Sequence, residues 1–128
     1  MQKTFVRGTW QQKRAFSPAV IVTGSAKTIY VAGHTGQTAE DGTTITDFEA
    51  QCRRTFRNIE VTLAEAGAKL SDLVTMTVFL TDVRYTTPMT EIRDEIFGKD
   101  FPASAALTVT GFAKPEILIE IQGIAVVP

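Results

Sequence analysis

Apolar positions along this chain repeat with two periods, and each period predicts a different kind of element. Between residues 48 and 66 they fall at Phe48, Cys52, Phe56, Ile59, Leu63 and Ala66, spacings of three and four that draw one stripe down a helix. Arg53, Arg54, Arg57 and Glu60 lie off that stripe and mark its solvent side. Thr46-Asp47-Phe48-Glu49 has the form of a capping box at the start, and Gly67 suits the left-handed position after the last turn. A shorter stripe of Met89, Ile92 and Ile96 predicts a second helix, with Thr87 as its cap, Pro88 as its first helical residue and Gly98 as its stop.

Elsewhere the period is two. Thr4 to Arg7, Ala19 to Thr23, Thr28 to Ala32, Leu73 to Leu80, Ala105 to Val109 and Ile117 to Val126 read as strands. Gly24-Ser25-Ala26-Lys27 is turn chemistry, so the second and third of these are expected to pair as a hairpin. In the last strand Ile117, Ile119, Ile121, Gly123 and Ala125 share one face, leaving Leu118, Glu120, Gln122 and Ile124 on the other. A carboxylate in mid-strand loses hydration if its face is covered, and must then be paired, protonated or set at a wet cleft. A Glu120 that points into solvent from an open face fits the same pattern. The order of elements predicts one α+β domain over residues 1–128: a mixed sheet of about six strands with both helices on one face. The opposite face keeps apolar residues that a monomer would expose and a closed oligomer would cover.

Composition narrows the function. A chain of 128 residues buries an adequate core without staples. A net charge of −1 lacks the basic face that grips a phosphate backbone, so no nucleic-acid partner is expected. Cys52 is alone and on the helical stripe, which makes it a small core residue and agrees with a reducing, cytoplasmic setting. Its start, Met1-Gln2-Lys3-Thr4-Phe5, has no apolar leader core, and no apolar run approaches membrane-spanning length, so no membrane partner is expected. One histidine and one cysteine without clustered ligands form no metal set, and no cofactor is expected.

Several stretches, in order, are similar to one known family. Phe101-Pro102-Ala103-x-x-Ala106, followed by Ile119-Glu120-Ile121-x-x-Ile124-Ala125-Val126, resembles the C-terminal signature of the Rid family, also called YjgF or reactive-intermediate deaminases. Thr28 to Gly36, with Gly33 and His34 at its end, resembles the family strand that ends in Ser-Gly-Gln. Gln51, Asn58 and Ala66-Gly67 match its first helix, and Val78 to Asp82 its central strand. The resemblance implies a chorismate-mutase-like homotrimer with small-metabolite clefts between subunits. It also implies hydrolysis of an enamine or imine, such as 2-aminoacrylate, to a carbonyl compound and ammonia.

Such chemistry needs a cation for the substrate's carboxylate, a group that handles the attacking water, and a partly dry cleft. The resemblance places Glu120 in the water-handling role. His34 stands where relatives often have glutamine; it is a candidate acid or base, or else a replacement for an amide's hydrogen bonds. Phe16-Ser17 matches the aromatic edge of the family cleft, and Thr90 falls where some relatives carry asparagine. The family's arginine falls at Ser104. One hydroxyl does not imitate a bidentate guanidinium, so simple amino-acid imines are expected to bind poorly unless Arg14, Arg93 or Lys114 reaches the cleft; each of these reads as a surface charge. The expected function is therefore hydrolysis of a reactive metabolite other than a simple amino-acid imine. The competing class is a metabolite-sensing or protein-binding trimer without turnover.

Overall fold

The structure, a computed structural model, describes residues 1–128. Strands β1 (Gln2–Val6), β2 (Ala19–Thr23) and β3 (Lys27–His34) precede helix α1 (Phe48–Glu65). Strand β4 (Leu73–Leu80), helix α2 (Thr86–Phe97), β5 (Ala103–Thr108) and β6 (Ile119–Val127) complete the chain. Short 3-10 turns at Gln11–Arg14, Leu70–Asp72 and Val83–Tyr85 connect them. No helix is long and apolar enough to cross a membrane.

The six strands form two ladders rather than the single sheet expected. Four run in the order β3-β6-β4-β5, while β1 and β2 pair only with each other. The expected β2–β3 hairpin is absent: β3 lies antiparallel on β6, with Ile29 opposite Ala125 and Val31 opposite Gly123. Closeness in sequence favours the hairpin, but pairing with β6 places Val31 over the core, where it is buried. By contrast, β1 and β2 keep mostly exposed residues.

Helix α2 carries the chain from β4 to the parallel strand β5, whose residue Ser104 stands opposite Met76. The predicted stripe of α1 packs as read: Phe56, Ile59 and Leu63 are buried against Met76, Val78, Leu80, Ile119 and Ile121. Alternation in β6 is also as read, with Ile119 and Ile121 buried and Glu120 on the open face.

Both helix starts differ from expectation. Asp47, not Thr46, caps α1: its Oδ2 accepts from Ala50 N–H at 2.9 Å, and a carboxylate there also complements the helix dipole. Before α2 the chain already turns at Val83–Tyr85, where Asp82 accepts from Arg84 N–H at 2.9 Å, so Thr87 and Pro88 lie inside the first turn of α2. Proline is harmless there because the first amides of a helix have no acceptor to lose. Strand β5 begins two residues earlier than predicted, which brings Ser104 into the ladder.

Candidate functional site

Two glycines in the connection after β3 show how closely the chain packs there. A Cβ on Gly36 would lie 2.5 Å from Gln51 O and Thr55 N, so only glycine lets this loop rest on the backbone of α1. A Cβ on Gly33 would lie 2.5 Å from Oε2 of Glu120 instead. The ladder between β3 and β6 is irregular here, between Val31 and His34, and the Glu120 carboxylate fills the space over Gly33. Glu120 is half-buried on the open face of the sheet and enters none of the ion pairs.

His34 points the other way, toward α1. Its Nδ1 is 2.7 Å from the Ala32 carbonyl, which only accepts, so Nδ1 carries the proton; Nε2 then accepts from the Thr62 hydroxyl at 2.8 Å. His34 stands opposite Ile121 in the ladder and so shares its helix-side face, away from Glu120; its Nε2 ties β3 to α1, while its Nδ1 bonds within β3. Its arrangement is that of a residue replacing an amide's hydrogen bonds.

A cleft of about 170 Å³ lies at the other end of the sheet, between the Gln11–Arg14 turn, α2 and β5. Phe16, Thr90, Ser104 and Arg93 line it, with Trp10 and Arg14 at its rim. Ser17 stands behind the wall: it is buried, its N–H donates to the Pro102 carbonyl at 3.1 Å, and it bridges to Ala103. Phe16 packs edge-on against Trp10, with ring centroids 5.6 Å apart.

Arg93 overturns the expectation of a cleft without a cation. It is 3 % exposed, the one buried charged side chain of the fold. Nη1 donates to Ser104 Oγ at 2.7 Å and makes a longer contact of 3.8 Å with the sulfur of Met76, while Nη2 donates to the Arg14 carbonyl at 3.1 Å. The ring of Phe16 lies 6.0 Å from the guanidinium carbon. No carboxylate pairs with it, and Nε has no acceptor. Burial, reinforced by the charge of Arg14, pulls its pKa down to about 10. The group remains charged at neutral pH. Ser104 therefore accepts a hydrogen bond from an arginine that reaches the cleft from α2, so the condition under which poor binding of simple amino-acid imines was expected is not met. Lys114, by contrast, is an exposed residue outside this cleft.

The signal for Arg93 was in the stripe. It follows Met89 by four and precedes Ile96 by three, so it shares the apolar face of α2, where a charge demands an explanation. Cys52 is no nucleophile: burial pushes its thiol up to about 12. A larger hollow of about 400 Å³ on the open face, lined by Tyr30, Thr75, Thr77, Gln122 and Ile124 among others, contains no charged side chain.

The family model for Endoribonuclease L-PSP matches residues 10–127. The chain belongs to the Rid, or YjgF, family. A RutC family protein of Pyrococcus abyssi is 39% identical to it over 98 residues, covering 76% of each chain. A human relative, 30% identical over 112 residues, or 87% of this chain and 79% of its own, bears the name 2-iminobutanoate/2-iminopropanoate deaminase. Among solved structures, the Rid-family protein YyfB of Yersinia pestis superposes with a TM-score of 0.87 over 99% of this chain and 100% of its own; at 23% identity that likeness speaks for the fold. Within this Rid-family chain, Phe16, Thr90 and Ser104 thus meet at one cleft, Ser17 supports its wall, Glu120 and Gly33 occupy the far face, and His34 belongs to neither.

Proposed function

We propose that this Rid-family protein is a homotrimeric hydrolase of small enamines or imines that bear a carboxylate, with its site between subunits. The observation that carries the proposal is Arg93: a buried guanidinium, without a countercharge, on the floor of a small cleft. Such a group is costly to bury alone and is stabilised when a ligand's carboxylate completes it. Its Nη atoms donate to Ser104 Oγ and the Arg14 carbonyl, and its Nε is buried with no acceptor, so the guanidinium is incompletely satisfied within the chain.

The proposed reaction converts an imine and water into a carbonyl compound and ammonia. An enamine first takes a proton on carbon and gives one up from nitrogen to become the imine. Water then adds to the imine carbon as the Glu120 carboxylate takes one of its protons and passes it to the nitrogen; Glu120 next takes the remaining hydroxyl proton and delivers that to the nitrogen too, so that the carbonyl forms, the C–N bond breaks and ammonia leaves. Within one chain Arg93 lies on the helix side of the sheet and Glu120 on the open side. A neighbouring copy is required to bring a Glu120 to the Arg93 cleft, which supports a closed ring of subunits. Tyr30, 79% exposed, and Leu107, 46% exposed, are apolar surface that such a ring can cover.

The test supplies freshly generated 2-aminoacrylate and follows ammonia release, with sedimentation measured on the same sample. We expect a particle three times 14.0 kDa, ammonia release well above the buffer rate, and abolition of that release by Glu120→Gln with ligand binding retained. A stable monomer, or turnover indifferent to Glu120→Gln, would overturn the proposal.

A further inference from the structure

We infer that Trp10 sets the side chain this cleft accepts: with Phe16 it makes a corner that receives an aromatic ring, so the favoured substrates are aryl-bearing 2-imino acids with a single carboxylate. Only the word imino depends on the hydrolase reading, since recognition of the ring is a matter of binding.

The cleft is polar at its floor and apolar at its mouth. Arg93 is buried, Ser104 is bonded to it, and Thr90 lies about one turn before it on the same face of α2. Toward solvent the lining changes to Phe16, half-buried, and Trp10, 57% exposed. Arg93 and the Glu120 of a neighbouring copy bring one positive and one negative charge to the site; the substrate's carboxylate occupies the first and the attacking water the second. A further carboxylate on the substrate would meet Glu120 uncompensated, whereas an apolar side chain adds no charge and runs toward the apolar mouth.

Contacts of the indole ring itself place it in that mouth. Its centroid is 5.6 Å from that of Phe16 at an interplanar angle of 75°, and the Phe16 ring is in turn 6.0 Å from the guanidinium carbon of Arg93. Two rings near a right angle form a corner. A third ring lies there flat against one and edge-on to the other, arrangements that the aromatic quadrupole favours. Reach agrees with this: one methylene sets an aryl ring centre roughly 5 Å from the carboxylate carbon, by standard bond lengths, and so carries it past the polar floor to the two rings. The methyl of a 2-iminopropanoate stays short of them. Because Trp10 stands at the open mouth, the ring is not confined within the cleft's volume of about 170 Å³.

The turn that carries Trp10 is tied down. Gln11 Oε1 accepts from the N–H groups of Thr9 and Trp10 at 3.1 and 3.3 Å, and the Trp10 carbonyl accepts from Lys13 N–H at 3.1 Å. Gly8, at φ 68°, leaves room for that side-chain oxygen, which a Cβ would strike. The indole thus has only its two side-chain torsions to lose when a ligand arrives, and the corner is formed in advance.

The experiment compares pyruvate with phenylpyruvate, and propanoate with 3-phenylpropanoate, by calorimetry on the wild type, Trp10→Ala and Trp10→Phe, with sedimentation of each protein. Trp10 is the chain's one tryptophan, so its emission reports on the mouth alone. The wild type should prefer each aryl acid to its alkyl partner by about tenfold or more, roughly 1.4 kcal/mol. Trp10→Ala should shrink that preference to within about threefold, and Trp10→Phe should restore part of it. Indole emission should change saturably with 3-phenylpropanoate, at the dissociation constant that calorimetry gives. With imines made in place by oxidising phenylalanine, the loss in Trp10→Ala should fall on KM more than on kcat. Equal affinity for aryl and alkyl acids, a preference that survives Trp10→Ala, or emission indifferent to bound 3-phenylpropanoate would overturn the inference; a Trp10→Ala variant that keeps the preference but sediments as a smaller particle would make Trp10 an interface residue instead. Aryl-selective binding without turnover of any imine would leave the role of Trp10 standing and sink the hydrolase reading.

Discussion

Gln51 and Arg93 are both polar, both buried and both carried on a helix, yet the fold treats them in opposite ways. Gln51, 0% exposed, is fully matched: its Nε2 donates to the carbonyls of Ile45 and Glu116 at 2.8 and 3.0 Å, and its Oε1 accepts from Leu118 N–H at 2.6 Å. Two separate stretches of chain, at Ile45 and at Glu116–Leu118, are stitched to α1 by one side chain. Arg93 has a whole charge to satisfy and receives a hydroxyl, a carbonyl and a sulfur. A matched buried group builds the structure, whereas an unmatched buried charge marks a candidate ligand site.

The sharpest way to break this contrast is to remove each group in turn. Arg93→Met should lower kcat/KM for a carboxylate-bearing imine by about 2–5 kcal/mol, yet leave the urea midpoint unchanged or higher, since the variant no longer buries a lone charge. The sign with pH follows from the lowered pKa. Below about 10 the group is charged in both the folded and the unfolded chain, so its cost to stability is fully present there, and it is relieved only as pH rises above that value. The stability gain of Arg93→Met should therefore be flat from about pH 6 to 9.

Gln51→Leu reverses the pattern. It leaves Leu118 N–H and two carbonyls without partners and should cost about 3 kcal/mol or more of stability in urea titration. What protein remains folded should keep its affinity for pyruvate.

Smaller effects refine the comparison at the other end of the sheet. Gly33→Ala meets only the flexible end of Glu120, so it should slow ammonia release by about tenfold or more while costing under about 1 kcal/mol of stability. His34→Gln should change turnover by less than about threefold, because the ring is tied to Thr62 of α1 and to the Ala32 carbonyl of its own strand, and a glutamine carries a donor and an acceptor to replace them. A larger fall in ammonia release would return His34 to the chemistry.

Period and alternation made much of this legible in the sequence. Helix α1 lies within a residue of its predicted span, β4 matches it, and β6 turns Ile119 and Ile121 inward and Glu120 outward, because each element buries one side of a regular pattern. Pairings between distant strands were not legible: local turn chemistry at Gly24 favoured a β2–β3 hairpin, and burial of Val31 beside β6 outweighed it. At the site, the match between Ser104 and the family pattern directed attention to one residue and away from its neighbour in space. Arg93 is eleven residues upstream of Ser104. Only the parallel crossing from β4 through α2 to β5 makes the two adjacent, although the place of Arg93 on the apolar stripe marked it as a buried charge.

Calorimetric titration of pyruvate into the wild type and into Arg93→Met, at the same salt and pH, tests the role of this guanidinium most directly. The account predicts at least about 30-fold weaker binding by the variant, about 2 kcal/mol, with no loss in its melting temperature. Equal dissociation constants for the two proteins would contradict it and make Arg93 a structural residue like Gln51.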